Sequence, residues 1–270
     1  MGTERRFGLI GGGNMGEALI KGLIQSGQAR PEDIIVSDPL AARRSYLQEE
    51  YQVAAKDDNK SLVKEAAIII LAVKPQVLDE VLNEIQSVVE PRHLIISIAA
   101  GVSLPRIESA LPSGTPTIRA MPNTPALALA GATAIAPGKH ASEKHLAMAR
   151  ILFEAVGLVV EVAEKNMDAV TALSGSGPAY IFIILEALAD AGVLEGLPRD
   201  QALLLAAQTI LGSAKLVLES GFHPAQLKDR VTSPGGTTIS GLMVLEKGGL
   251  RGLIMEAVRT AARRSAELGK

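Results

Sequence analysis

The period of the hydrophobic positions changes once along the chain. Up to about Glu164, short runs that are apolar at nearly every position alternate with segments whose apolar residues recur at helical spacing; beyond it only the helical spacing remains. The runs are Phe7-Gly8-Leu9-Ile10, the stretch Asp33 to Pro39 with Ile34-Ile35-Val36 at its centre, Ala66 to Val73, Leu94 to Ile98 and Thr117 to Met121. A strand covered by helices on both faces has no polar alternation, so these runs predict a buried parallel sheet. Ala132 to Ala136 and Gly157 to Val162 add outer strands. Between them the spacing predicts a helix over Glu17 to Gln25, ended by Ser26-Gly27, and a short helix after the polar turn Asp57-Asp58-Asn59-Lys60.

In the second half the spacing predicts helices over Met167 to Leu173, Ala179 to Ala191, Asp200 to Leu218, a short one ending at Val231, and Leu250 to Leu268. Ser174-Gly175-Ser176-Gly177-Pro178 must kink or restart a helix. The expected fold is therefore α/β: a Rossmann-type doubly wound sheet over residues 1–163, followed by an all-α domain over residues 164–270. The second domain is rich in alanine and leucine, and the whole chain is only 3% aromatic. Helices with so much apolar surface are candidates for a subunit interface.

The passage from the first strand into the first helix carries Gly11, Gly13 and Gly16 at the spacing G-x-G-x-x-G. Gly11 permits a tight turn, Gly13 removes a side chain that would keep the backbone from a pyrophosphate, and Gly16 lets helix and strand pack closely. The helix N-terminus offers free N–H groups to the anion. The end of the second strand then decides between cofactors, and it gives two signals. Asp38, 27 residues after Gly11, suits the ribose 2′-OH of NAD; Ser37 with Arg43 and Arg44 suits the 2′-phosphate of NADP, although the arginines also fit a solvated first helical turn. Ligands of open α/β sheets sit beyond the carboxyl ends of the strands, so Ala72, Val73, Lys74 and Pro75 should border the cofactor. Asn123 and Thr124, held between Pro122 and Pro125, should present polar groups to the same crevice.

Composition narrows the class. The 27 basic and 29 acidic residues give a net charge of −2 without long runs of one sign, which argues against nucleic acid and membrane surfaces as partners. Without cysteine there is no disulfide, thiolate nucleophile or cysteine-bound metal. Residues 1–6 lack a signal-peptide apolar region, and no apolar run is long enough to span a bilayer, so a soluble, cytoplasmic protein is expected.

A nicotinamide cofactor implies hydride transfer. Reduction of a carbonyl needs a proton donor for the alkoxide, commonly histidine or lysine, yet no Lys or His occurs between Asn166 and Ala214 and the four histidines form no constellation. An imine nitrogen can be protonated before hydride arrives, and a hydroxyl suffices to orient it. Near Thr232-Ser233-Pro234-Gly235-Gly236-Thr237-Thr238-Ile239, Thr237 or Thr238 would cap a helix whose free N–H groups could hold a carboxylate. Together these suggest a small imino acid as substrate. Two other readings stand beside it: a dehydrogenase of the same architecture acting on a 3-hydroxy acid or another cyclic imine, and a non-catalytic nucleotide sensor.

At these residues the chain resembles pyrroline-5-carboxylate reductase, essentially end to end. The resemblance is carried by the glycine turn, Ala72 to Pro75, Met121 to Pro125, Thr171 to Tyr180, Asp190-Ala191-Gly192, His223-Pro224, Leu227-Lys228-Asp229 and Ser233 to Ile239. It implies reduction of Δ1-pyrroline-5-carboxylate to L-proline. Ser233, Gly236, Thr237 and Thr238 would hold the carboxylate, with Thr238 as proton donor. It further implies cofactor contacts from Gly11, Gly13, Asn14, Met15, Asn59, Ala72 and Lys74, NADPH as cofactor with NADH as the second choice, and interlocked dimers that assemble further into decamers. Asp38 stands where many NADPH-preferring relatives carry a small hydroxyl residue.

Overall fold

The computed structural model describes residues 5–269. Its first compact unit runs to Ser176 and takes in the chain again from Thr260; the second is Gly177–Arg259.

The first unit is built on β1 (Arg5–Ile10), followed by α1 (Asn14–Gln25), β2 (Ile34–Ser37), α2 (Ala41–Tyr51), β3 (Ala54–Lys56), α3 (Asn59–Glu65), β4 (Ala66–Leu71), α4 (Leu78–Ile85), β5 (Leu94–Ser97), α5 (Leu104–Ser109) and β6 (Thr117–Met121). Two further strands, β7 (Gly131–Pro137) and β8 (Gly157–Glu161), flank α6 (Glu143–Glu154). The described strands form one sheet in the order β3-β2-β1-β4-β5-β6-β7-β8. Its first six positions run parallel in the doubly wound order, reversing direction of travel between β1 and β4. β7 pairs antiparallel with β6 and carries β8 parallel at the edge, so the stretch expected as an outer strand lies inside the sheet.

Both faces are covered, as the unbroken apolar runs require. Phe7, Leu9 and Val36 pack on one face against Leu19 and Leu23 of α1 and Phe153 of α6; Ile35 and Ile69 pack on the other against Leu62, Leu78 and Leu82. All of these are fully buried, each stabilising the fold by about 1.5–3 kcal/mol. Gly8 interrupts the apolar run of β1 because a Cβ there would stand 2.6 Å from the Leu62 side chain. β3 has no counterpart in the sequence reading. Its three half-buried residues lie just past Gln52, which ends α2 in the left-handed conformation, and are too few to establish a period.

After β8 a short helix α7 (Met167–Val170) widens into a π-helical turn over Thr171–Gly175. The helix restarts at Gly177 as α8 (Gly177–Leu194), which is the interruption that the serine-glycine run predicts. The second unit contains α8, α9 (Arg199–Ser220), α10 (Pro224–Arg230), α11 (Thr237–Lys247) and the first part of α12 (Leu250–Leu268). Gly192 of α8 lies close to α9, where an added Cβ would meet Ala202 at 3.0 Å.

Candidate functional site

The β1–α1 turn has the geometry of an anion cradle. Gly11 adopts φ +104°, and a Cβ on it would lie 2.6 Å from the Ala72 carbonyl oxygen, so no other residue fits. Its N–H donates to the Ser37 carbonyl at 2.8 Å, and Ala72 N–H donates to the Ile10 carbonyl at 2.8 Å, which joins the ends of β1, β2 and β4. Gly16 meets the Gly11 carbonyl so closely that a side chain is excluded. Gly13 differs from both. Its φ of −66° needs no glycine, and the position of its missing Cβ has no atom within 4 Å. The fold itself does not require that glycine, and the space over it is open. Glu17 N–H is the first to return into the helix, bonding the Gly13 carbonyl at 2.9 Å, so the preceding N–H groups of α1, including those of Asn14 and Met15, remain for an anion.

A cavity of about 530 Å³ opens beside this turn, at the strand ends where the sheet order reverses. Gly11, Gly13, Ser37, Asp38, Asn59, Ala72, Val73 and Lys74 all line it. At its β2 end the Asp38 carboxylate accepts from Gly12 N–H at 3.0 Å and from Leu40 N–H at 2.9 Å. The Ser37 hydroxyl, 1% exposed, donates to Asn59 Oδ1 at 2.6 Å, and Asn59 Nδ2 donates to Glu84 at 2.7 Å. Glu84, absent from the sequence reading, thereby fixes which end of the Asn59 amide is oxygen, because a carboxylate can only accept. The residues present fit a dinucleotide: a glycine cradle at a helix N-terminus, a strand-end carboxylate for a ribose, and an apolar slot that includes Leu40, Val77 and Val81.

Pro75 opens a 3₁₀ turn (Pro75–Val77) and borders a second cavity, of about 520 Å³, with Ala100, Gly101, Thr171 and Ser176. Asn123 does not line the first cavity. Its Nδ2 donates to the Ser174 carbonyl at 3.0 Å and its Oδ1 accepts from Ala132 N–H at 2.8 Å, which ties the proline-flanked loop to the π-helical turn. Gly175 leaves room there for the Met121 side chain, 2.8 Å from where a Cβ would stand. Such turns recur at functional sites, and no sequence period distinguishes one from an ordinary helix.

In the second unit Ser233, Gly236, Thr237 and Thr238 come together at the start of α11. The N-cap is Gly236, and neither threonine caps the helix as expected; the Ser233 hydroxyl occupies the space that a Cβ on Gly236 would take. Ser240 N–H is the first to reach back, to the Gly236 carbonyl at 3.4 Å. The N–H groups of Thr237, Thr238 and Ile239 precede it, with the Ser233 hydroxyl beside Gly236. Gly236 and Thr238 are half-buried, and Ser233 and Thr237 are exposed. The turn itself is made by Gly235 at φ +67°.

The histidines do local structural work: Nδ1 of His93, His145 and His223 accepts from the N–H of Glu90, Ser142 and Ala225 respectively. Among the described residues no group of three or more His, Asp or Glu side chains could hold a metal.

Comparison with known proteins gives the family. Residues 6–101 match the family model described as NADP oxidoreductase coenzyme F420-dependent, and residues 164–268 match pyrroline-5-carboxylate reductase dimerisation. The pyrroline-5-carboxylate reductase of Synechocystis is 56% identical over 98% of this chain and 98% of its own length. A solved pyrroline-5-carboxylate reductase from Coxiella burnetii superposes with a TM-score of 0.94 at 39% identity, covering 99% of this chain and all of that one. A Plasmodium falciparum pyrroline carboxylate reductase with NADP bound superposes at 0.88 with 34% identity over the full length of both chains. With a glycine cradle for NAD(P)H in one unit and an open helix N-terminus in the other, the chain belongs to the pyrroline-5-carboxylate reductase family of NAD(P)H-dependent oxidoreductases.

Proposed function

We propose that the chain reduces Δ1-pyrroline-5-carboxylate to L-proline, the closing step of proline biosynthesis. The observation that carries this reading is the α11 N-terminus: a glycine N-cap, a serine hydroxyl beside it and two threonines in the first turn, with neither lysine nor histidine among them. The free N–H groups and the positive end of the helix hold the substrate carboxylate. The Thr238 hydroxyl orients the ring nitrogen and passes it a proton as it takes one up from solvent water. NAD(P)H, when bound, supplies the hydride. Because the imine is protonated before it is reduced, no strong acid is needed at the site.

The dinucleotide is held by the glycine turn, with Asn14 and Met15 at its phosphates and Asp38 and Asn59 at its adenosine end. Ala72, Val73, Lys74 and Pro75 border its path toward the nicotinamide, and Asn123 holds the adjoining loop. Residues 1–163 bind the cofactor and residues 164–270 supply dimerisation and the substrate site. Two stretches of the second half, Glu164–Leu194 and Arg199–Ser220, are long and apolar enough to cross a membrane, and only 6% and 11% of them is buried within the single chain. In a family with a dimerisation domain, a second copy of the chain covers these faces in place of lipid. The dimers interlock through these helices and assemble further into decamers, in the cytoplasm, without nucleic-acid or membrane partners.

The test is oxidation of NADPH and, separately, of NADH by the purified protein with Δ1-pyrroline-5-carboxylate, with L-proline assayed as product. Turnover with proline formed is the expected result. Cofactor binding without turnover would transfer the assignment to another imine or to a sensing protein.

A further inference from the structure

The two arginines beside the β2 end of the cavity are already engaged. Arg43, in the first turn of α2, donates from Nε to the Gly12 carbonyl and from a terminal nitrogen to Glu17 Oε2. Gly12 is the residue whose N–H holds the Asp38 carboxylate, so Asp38 and Arg43 hold the two backbone polar groups of one residue of the glycine turn. Glu17 is itself held from three sides, because the Tyr46 and Tyr51 hydroxyls both donate to its Oε1 at 2.9 Å. Tyr46 also lies under the Arg43 guanidinium, 5.0 Å from ring centroid to Cζ. Burial pushes the Glu17 carboxyl up, but Arg43 and the two tyrosines outweigh it and hold the group below its ordinary value, so it is ionised at neutral pH. Burial and Glu17 together push the Tyr51 hydroxyl up, which keeps it a donor. Arg44 is spoken for as well: it donates to the Asp38 and Pro39 carbonyls at 2.8 and 3.0 Å and pairs with Asp57 at 3.6 Å.

At the β2 end of the cavity, then, Glu17, Asp38 and Asp57 face Arg43 and Arg44. Three negative charges against two leave the site a net negative one. A ribose 2′-OH can donate to Asp38 there, whereas a 2′-phosphate meets a carboxylate and two neutralised arginines.

Accepting the dinucleotide reading of this cavity, on which the inference rests, we propose that Glu17 is a positioning residue for cofactor choice: by binding and neutralising Arg43 it withholds that side chain from a 2′-phosphate and biases the site toward NADH. Asp38 rejects the phosphate directly; Glu17 does so through Arg43. The device is legible only in three dimensions, since Glu17 and Arg43 belong to different helices. By sequence alone Glu17 is an ordinary acidic residue in a helix's first turn.

The experiment is equilibrium binding of NADH and of NADPH, followed by nicotinamide fluorescence, which no tryptophan in this chain obscures. The two cofactors differ by one phosphate, so damage to the cradle weakens both and leaves the ratio of their Kd values unchanged. Glu17→Gln keeps the shape and the hydrogen-bond acceptor while removing the charge. It is expected to shift the ratio toward NADPH by about fivefold, the effect of roughly one partly screened unit charge. The double variant Glu17→Gln/Arg43→Gln should return the ratio to near the wild-type value. Arg43→Gln alone, informative even if the Glu17 variant does not fold, should shift the ratio the opposite way, against NADPH, because it leaves the Glu17 charge uncompensated. An unchanged ratio in Glu17→Gln, a parallel loss of both cofactors, an unchanged ratio in Arg43→Gln, or a double variant that favours NADH more than the wild type does would each overturn the proposal. Failure of the wild-type chain to bind either cofactor would instead overturn the dinucleotide reading itself.

Discussion

Gly13 and Thr238 show how differently single residues declare themselves. Gly11 and Gly16 are required by the chain's own packing, against Ala72 and against Gly11 respectively, and the motif spacing announces both. Gly13 has open space where its side chain would be, so the chain's own packing does not account for its glycine. Thr238 has no such signature. Its type and its place after Gly235-Gly236 suggest a cap, and the structure instead puts it one residue inside the helix, half-buried, with Gly236 as the N-cap. Thr238→Ala should lower kcat by about 10²-fold if the hydroxyl supplies or orients the proton, with little change in cofactor binding. Single-turnover rates with preloaded cofactor would show it, and a wild-type rate would remove Thr238 from the chemistry. In the sequence only the resemblance singles out Asn59; its bonds to Ser37 and Glu84 join three segments that no local pattern connects.

At the scale of the element, two contacts carry testable weight. Arg119 sits within β6 with its side chain 6% exposed, paired with Glu164 at 2.8 Å; the same carboxylate oxygen accepts from Leu104 N–H at 3.0 Å and so starts α5. Glu164→Ala would strand a buried guanidinium and is expected to cost about 3 kcal/mol, read as a lowered midpoint in denaturant. Replacing both partners, as Arg119→Met/Glu164→Leu, should recover most of that loss. At the start of α6 the His145 ring accepts from Ser142 N–H at 3.0 Å, which only the neutral ring can do. Burial, and next to it the Lys144 charge, hold the His145 pKa below its ordinary value of 6.5. A lowered value means that the folded state favours the neutral ring. The contribution is present above pH 6.5 and is lost as pH falls through the folded value. His145→Gln, which restores an acceptor that does not titrate at a capping-box position, should flatten the fall in thermal stability below pH 6.5. An unaltered pH profile would show that this cap does not set it. Both contacts lie outside what periodicity can show, since Arg119 reads as an anomaly in an apolar strand and His145 as a surface residue.

For the whole molecule the governing fact is apolar surface. Ile183, Leu204, Leu218 and Met255 are each at least two-thirds exposed in the single chain, on α8, α9 and α12. Area of this kind on several helices needs a partner. Leu204→Glu should shift the protein toward monomer in sedimentation velocity, and a particle of wild-type size would place the interface elsewhere. The alternation of apolar runs with helical spacing determined the α/β class, and the glycine spacing determined the cradle, because both are set by local periodicity and backbone sterics. The change of period near Glu164 likewise announced the helical second half, with α8, α9 and α12 where spacing placed them. Only the tertiary structure decided that β7 runs antiparallel inside the sheet, that Asn123 grips the π-helical turn, and that Arg43 is bound to Glu17. Those outcomes depend on which distant groups meet in space, where competition among hydrogen-bond and charge partners selects one pairing from several that the sequence leaves equally open.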